Sequence, residues 1–228
     1  RVFIPKYGNW LRRMGVLGDF ERGTIVVVRE PANAPTAQEK DRLQFFIKRV
    51  IGLPGDHVRI DAGEVFVNGH MIDQGFITDE ADFRVAPVEF PMVVVQDGEV
   101  ESLIMGFNVT PTGVAVPDLP MTDSPRLPVP VTDPRVQLFY GTVVENIVVP
   151  PGTPEGVPVV LDFIVPDGTY FVMGDNRSRG GSEDSRYFGP VDSIAIAGRA
   201  TAVIWPPRRD GDWNFRGLPA PANLSQHN

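Results

Sequence analysis

Cysteine is absent from all 228 residues, which excludes thiol catalysis, zinc–thiolate centres and any disulfide framework. Positive charge is short. Lys and Arg number 21 against 29 Asp and Glu, and the net charge of −8 argues against nucleic acid as a partner. No apolar run reaches the ~18–20 residues that a membrane-crossing helix needs, and no signal-peptide pattern is visible. The three histidines, His57, His70 and His227, lie without metal-ligand spacing, so neither a metal site nor a Ser–His–Asp triad is expected. Gly180-Gly181-Ser182 is too little for a phosphate loop, and no other cofactor fingerprint is present. Internal repeats and heptads are missing too.

What is there is turn-rich. Gly and Pro number 23 each, which favours many short strands over long helices. At this length a chain buries roughly 70–75% of its unfolded surface. Thr24–Val28 reads as a strand, followed by a polar loop over Ala32–Arg42. Next come the apolar Phe45–Ile51, then HVRID (57–61), then EVFVNGHMI (64–72), whose Asn68-Gly69 marks a type I′ hairpin. Residues 75–165 are Pro-rich and acidic, with short strands expected near 92–96, 136–140, 142–149 and 158–164; Pro117–Pro134 has the least regular pattern. Firm strand pattern returns at Thr169–Met173 and Ile194–Trp205. The expected class is mainly β, with few short helices. An antiparallel-sheet core (1–74 and 166–228) is expected to carry an inserted β-rich, Pro-rich subdomain (75–165).

Two stretches carry chemistry. The first is FFIKRVIGLPGD (45–56), a strand ended by a Gly/Pro turn. Alternation places Phe46, Lys48 and Val50 on one face and Ile47, Arg49 and Ile51 on the other. Apolar neighbours disfavour an ammonium, so Lys48 is a candidate general base; the plainer alternative is a strand lysine that snorkels to water. The second stretch, GDNRSRGGSEDSRYFGPV (174–191), crowds Asp175, Arg177, Arg179, Glu183, Asp184 and Arg186 among Gly, Asn and Ser. It is either a solvated loop or a set of paired charges that fixes a site's geometry.

Together, KRVIGLPGD and GDNRSRGGSEDSRYFGPV resemble two signature boxes of bacterial type I signal peptidases, the Ser/Lys peptidases that cleave secretory signal peptides. RGTIVVV (22–28) is similar to that family's RGDIVV strand, with Thr24 where Asp is usual. GRATAVIW (198–205) and GDW (211–213) match its closing segment, and the likeness is weakest across 75–165.

The resemblance implies a serine endopeptidase in which Lys48 is the base and Ser182 orients its amine. It also implies that Arg49, Gly174, Asp175, Asn176, Arg177, Asp184, Ser185 and Arg186 brace the site, with Arg49–Asp175 and Asp184–Arg186 contacts. Two departures stand out. Four residues (178–181) separate Arg177 from Ser182 where the family usually has two, which leaves Ser178 as an alternative orienting residue. The nucleophile box of the form SGSMxPTL is absent: none of the serines at 102, 124, 178, 182, 185, 193 and 225 stands in such a context. The chain begins at Arg1, after the point where that box would end, and reads as the remainder of something longer; as written, it is expected to be inactive.

The implied substrates are secretory preproteins cut after an Ala-X-Ala pattern. The implied setting is the bacterial cytoplasmic membrane, with a monomeric catalytic domain on the extracytoplasmic face. Trp205 and Trp213 fall where the family carries tryptophans near lipid; Trp205, at a strand end, reads equally as core. No cofactor is implied. Two other readings remain: a non-catalytic relative that binds signal peptides, and a Ser/Lys peptidase of the self-cleaving repressor or conjugation type.

Overall fold

The computed structural model describes residues 2–4, 11–12, 14, 18–34, 44–61, 63–75, 92–109, 113, 115–117, 125–152, 160–177, 182–203, 208–209, 212–213, 216–218, 220–221 and 224. They form a mainly β protein. Among them, no helix is long and apolar enough to cross a membrane.

Lys48 sits in the middle of a five-stranded antiparallel sheet. The order is Val191–Asp192, Thr169–Met173, Phe45–Gly52, Ile25–Arg29, Ile196–Arg199. Register pairs Val26 with Lys48, Val28 with Phe46, and Val172 with Val50. The β-branched side chains on that face pack with Tyr170, Phe188 and Ile196 into one core. Ile51, Phe171 and Met173 belong to a second core, filled by the opposing sheet.

That opposing sheet runs Ile147–Val148, Val160–Ile164, His57–Asp61, Glu64–Val67, His70–Met71. Asn68 and Gly69 take φ of 51° and 79°, left-handed at both positions as a type I′ turn requires. The lysine strand is joined to this sheet by the Gly52–Asp56 turn. A Cβ on Gly52 would stand 2.6 Å from Val58 Cγ2 and 2.9 Å from Val165 Cγ2, so only glycine lets the two sheets approach there. Asp56 locks the turn: its carboxylate accepts from Leu53 N, Asn68 Nδ2 and Arg22 Nη1. Arg22 Nη1 also donates to Ile51 O at 2.6 Å.

Residues 93–130 supply a third sheet, ordered Leu127–Pro130, Glu99–Met105, Val93–Gln96. Asp97 and Gly98, both left-handed, close the hairpin between the last two strands. Pro128 and Pro130 fit because Leu127–Pro130 is an edge strand, where missing N–H donors leave no ladder bond unmade. This is more order than the irregular pattern of Pro117–Pro134 suggests, although 118–124 lie outside the described residues.

One expectation needs correction. The strands anticipated at 136–140 and 142–149 are replaced by an α-helix, Pro134–Val144, with only Ile147–Val148 extended. Asp133 caps the helix by accepting from Arg135 N, and Pro134 suits its first turn. Val136, Phe139, Tyr140 and Val143 then recur at helical spacing and are all buried. The apolar run over 136–149 hides that period behind its β-branched residues. In addition, Val160–Ile164 and Ile147–Val148 hydrogen-bond into the second sheet, because alternate residues Leu161 and Phe163 fill its core beside Val58 and Ile60. By pairing, they join the sheet of the flanking segments and not the third sheet.

The helix also touches the second signature stretch. Tyr187 packs with Val136, Phe139 and Tyr140 in the third core, and burial pushes its phenol up to about 12.

Candidate active site

The lysine comes first. Its strand is exposed at Phe45 and Ile47 and buried from residue 48 onward, so the sheet covers Lys48 to 8% exposure. The Phe46 ring lies 5.0 Å from Nζ on the same face. Burial lowers the ammonium pKa below its ordinary 10.5; the carboxylates of Asp184, Glu183 and Asp175 oppose that, and Arg186 reinforces it. Lys48 Nζ donates to Ser182 Oγ at 2.6 Å, a contact 134 residues apart in sequence. Ser182 thus reaches the lysine although four residues separate it from Arg177; Ser178, the alternative, lies outside the described residues.

Gly174 permits that approach. It ends the Thr169–Met173 strand, and a Cβ on it would collide with Ser182 Cβ and Oγ. Its N–H donates to Asp184 Oδ2 at 2.8 Å and its carbonyl accepts from Arg177 Nε at 2.6 Å, so the backbone is held from both sides.

Asp184 is the hub of the loop. It is fully buried and caps the four-residue helix Ser185–Phe188. It receives Arg186 Nε at 2.8 Å and Nη2 at 2.9 Å. Burial alone would raise its pKa; the Arg186 charge and hydrogen bonds, with Lys48 and the Gly174 N–H, outweigh that and hold the carboxyl below the usual range. Ser185 Oγ accepts from Val172 N at 2.9 Å, pinning the helix to the strand beside the lysine.

Arg49, one residue on and on the opposite face, forks onto Asp175 at 2.8 and 2.7 Å and donates to Gly23 O. Asn176 is half-buried between Asp175 and Arg177. Arg177 is 2% exposed, and burial above all, then the Arg186 charge, pushes its guanidinium down to about 10. Lys48, Ser182, Arg49, Gly174, Asp175, Arg177, Asp184, Ser185 and Arg186 are therefore brought together in one linked network. Trp205 lies outside the described residues; Trp213 has a described backbone only, paired with Arg208.

Three participants are not among the site residues expected from the sequence. Glu183 is 9% exposed and its carboxylate acts on Lys48. Gln74 accepts from Arg177, with no local pattern to single it out. Arg22 holds the turn after the lysine strand, and its place in the RGTIVVV match is a signal that was available.

A desolvated lysine hydrogen-bonded to a serine, in a loop fixed by buried ion pairs, is suited to moving a proton from a hydroxyl. The family model "Signal peptidase, peptidase S26" matches residues 1–205. The chain belongs to this family. Its peptidase S26 relatives include a "Probable signal peptidase I-2" of Synechocystis sp., 47% identical over 211 residues, or 92% of this chain and 57% of that protein. A signal peptidase I of Leptolyngbya laminosa is 37% identical over 70 residues, 31% of this chain and 34% of the relative. The signal peptidase I of Bacillus licheniformis is 24% identical over 210 residues, 90% of this chain and 67% of that protein. The chain thus spans 57% of the length of the first of these relatives and 34% of the second. A crystal structure of a signal peptidase I from Enterococcus faecalis superposes with a TM-score of 0.37 at 21% identity, covering 81% of this chain and 99% of that one.

Proposed function

We propose that this chain is the lysine-bearing part of a serine endopeptidase that removes signal peptides from exported preproteins. The observation that carries the reading is the 2.6 Å hydrogen bond from the buried Lys48 amine to Ser182. In the reaction, a serine from the family's SGSMxPTL-type box attacks the scissile carbonyl, and neutral Lys48 takes its proton. The lysine returns that proton to the leaving amine, giving an ester that water hydrolyses. Ser182 holds Nζ in line. A binding-only protein would gain nothing from a desolvated lysine, whose burial costs stability.

Substrate docking follows from the strand's edges. On one side Phe45–Arg49 pair with Ile25–Arg29; on the other, pairing with Thr169–Met173 ends at Arg49. Among the described residues, the stretch 45–48 thus has an open edge to which an extended peptide can add as a strand. Cleavage after small residues of Ala-X-Ala type, action by a monomer, and placement at the outer face of the cytoplasmic membrane belong to the same reading.

The test uses a form of the protein that includes the serine box and a preprotein substrate. Lys48→Ala should abolish cleavage with folding intact, and Ser182→Ala should slow it less. Retained cleavage by Lys48→Ala sinks the assignment. If Ser178→Ala is the damaging serine change, Ser182 is not the orienting residue.

A further inference from the structure

Arg177 is a buried cation with an unusual set of partners. Among the described residues no carboxylate lies within ion-pair distance of its guanidinium, although its side chain is 2% exposed. Nε donates to Gly174 O and Nη1 to Gln74 Oε1, each at 2.6 Å, while Nη2 has no hydrogen-bond partner among the described residues. A buried guanidinium depends heavily on each acceptor it does have, since losing one leaves a desolvated charge uncompensated.

Gln74 is placed for this task by its other hydrogen bond. Its Nε2 donates to Gly63 O at 3.3 Å, across the hairpin of the second sheet. The amide orientation is fixed by its neighbours: a guanidinium only donates, so the oxygen must face Arg177. A chain of contacts then runs from the hairpin through Gln74 and Arg177 to the Gly174 carbonyl. Gly174 in turn carries Ser182 against its Cα, and Ser182 meets Lys48. The loop holding the orienting serine is therefore tied to the second sheet, outside both signature stretches, by one neutral amide.

We propose that Gln74 is a positioning residue for the lysine–serine pair: it supplies an acceptor of the buried Arg177 guanidinium, and through it fixes the Gly174 backbone on which the Ser182–Lys48 geometry rests. The proposal rests on the peptidase reading for its catalytic consequence but not for its structural one.

Two readouts separate these. The chain has only three lysines, Lys6, Lys40 and Lys48, so 13Cε-lysine labelling follows the Lys48 titration directly by NMR. Gln74→Leu removes the acceptor at similar size. Its Lys48 midpoint should move from the lowered wild-type value towards 10.5, as the loosened loop admits water. In the form with the serine box, kcat should fall roughly tenfold while KM stays within about twofold. Gln74→Glu keeps the acceptor for Arg177 and adds an opposite charge while giving up the donor to Gly63 O, so its kcat should stay within about twofold of the wild type. A Gln74→Leu protein with lower Tm but wild-type Lys48 midpoint and kcat overturns the proposal, as does a Gln74→Glu protein that loses kcat. If Gln74→Leu does not fold, Gln74→Glu decides. If the wild type cleaves nothing, the peptidase reading fails and the titration alone judges Gln74.

Discussion

Replacing Gly174 by alanine probes the most crowded point of the site. The added Cβ would overlap Ser182 Cβ and Oγ, with Asp184 Oδ2 at 3.7 Å behind them. The backbone cannot retreat freely, because Gly174 N is held by Asp184 and Gly174 O by Arg177. Ser182 has to move instead, and its hydrogen bond to Lys48 goes with it. Overpacking costs about 1–3 kcal/mol and the lost hydrogen bond about 1 kcal/mol more, so a destabilisation of about 2–4 kcal/mol is expected. Gly18→Ala is the control: nothing lies within 4 Å of its Cβ, and its effect should stay within about 0.5 kcal/mol. Urea unfolding of the two variants against wild type measures the difference, and the 13Cε signal of Lys48 reports whether the serine has left. Equal stability of the two variants, with an unmoved Lys48 signal, would refute the reasoning.

Three further outcomes can be measured. Because burial depresses the Lys48 pKa in the folded state, the unfolded chain holds a proton that the folded chain lacks between that lowered value and 10.5. Stability should therefore rise with pH across this window, the burial penalty being complete below the lowered pKa and gone above 10.5. Cleavage by the serine-bearing form should rise with pH through the same lowered value, and Glu183→Gln, which removes a charge that raises it, should move that limb to lower pH; a limb unmoved by Glu183→Gln contradicts the electrostatic account. Arg186→Leu leaves fully buried Asp184 without its partner and should cost about 3–5 kcal/mol in urea unfolding. The double change with Asp184→Asn should recover part of that loss; an additive loss in the double variant argues against their pairing.

Local pattern carried the lysine strand, the hairpin at Asn68-Gly69 and the class. Alternation put Phe46, Lys48 and Val50 on one face, and the observed cation–ring contact and valine core lie there. It failed at Pro134–Val144, where β-branched residues in a helix look like strand until the period of the buried ones is read. Periodicity could not assign Val160–Ile164 to a sheet either, since pairing partners are not local information.

By itself, the sequence determined which residue types are present: no thiol, no metal-spaced histidines, one lysine in an apolar strand, and a Gly-rich loop crowded with charge. It could also name the Arg49–Asp175 and Asp184–Arg186 partners, through likeness to a family. Only the tertiary structure decided how desolvated Lys48 is, that Ser182 reaches it across 134 residues, and that a glutamine just after the second sheet's last strand stands behind the loop. The reason is physical. Burial and hydrogen-bond distance depend on which strands pair and which faces meet, and those are properties of the packed chain, not of any stretch within it.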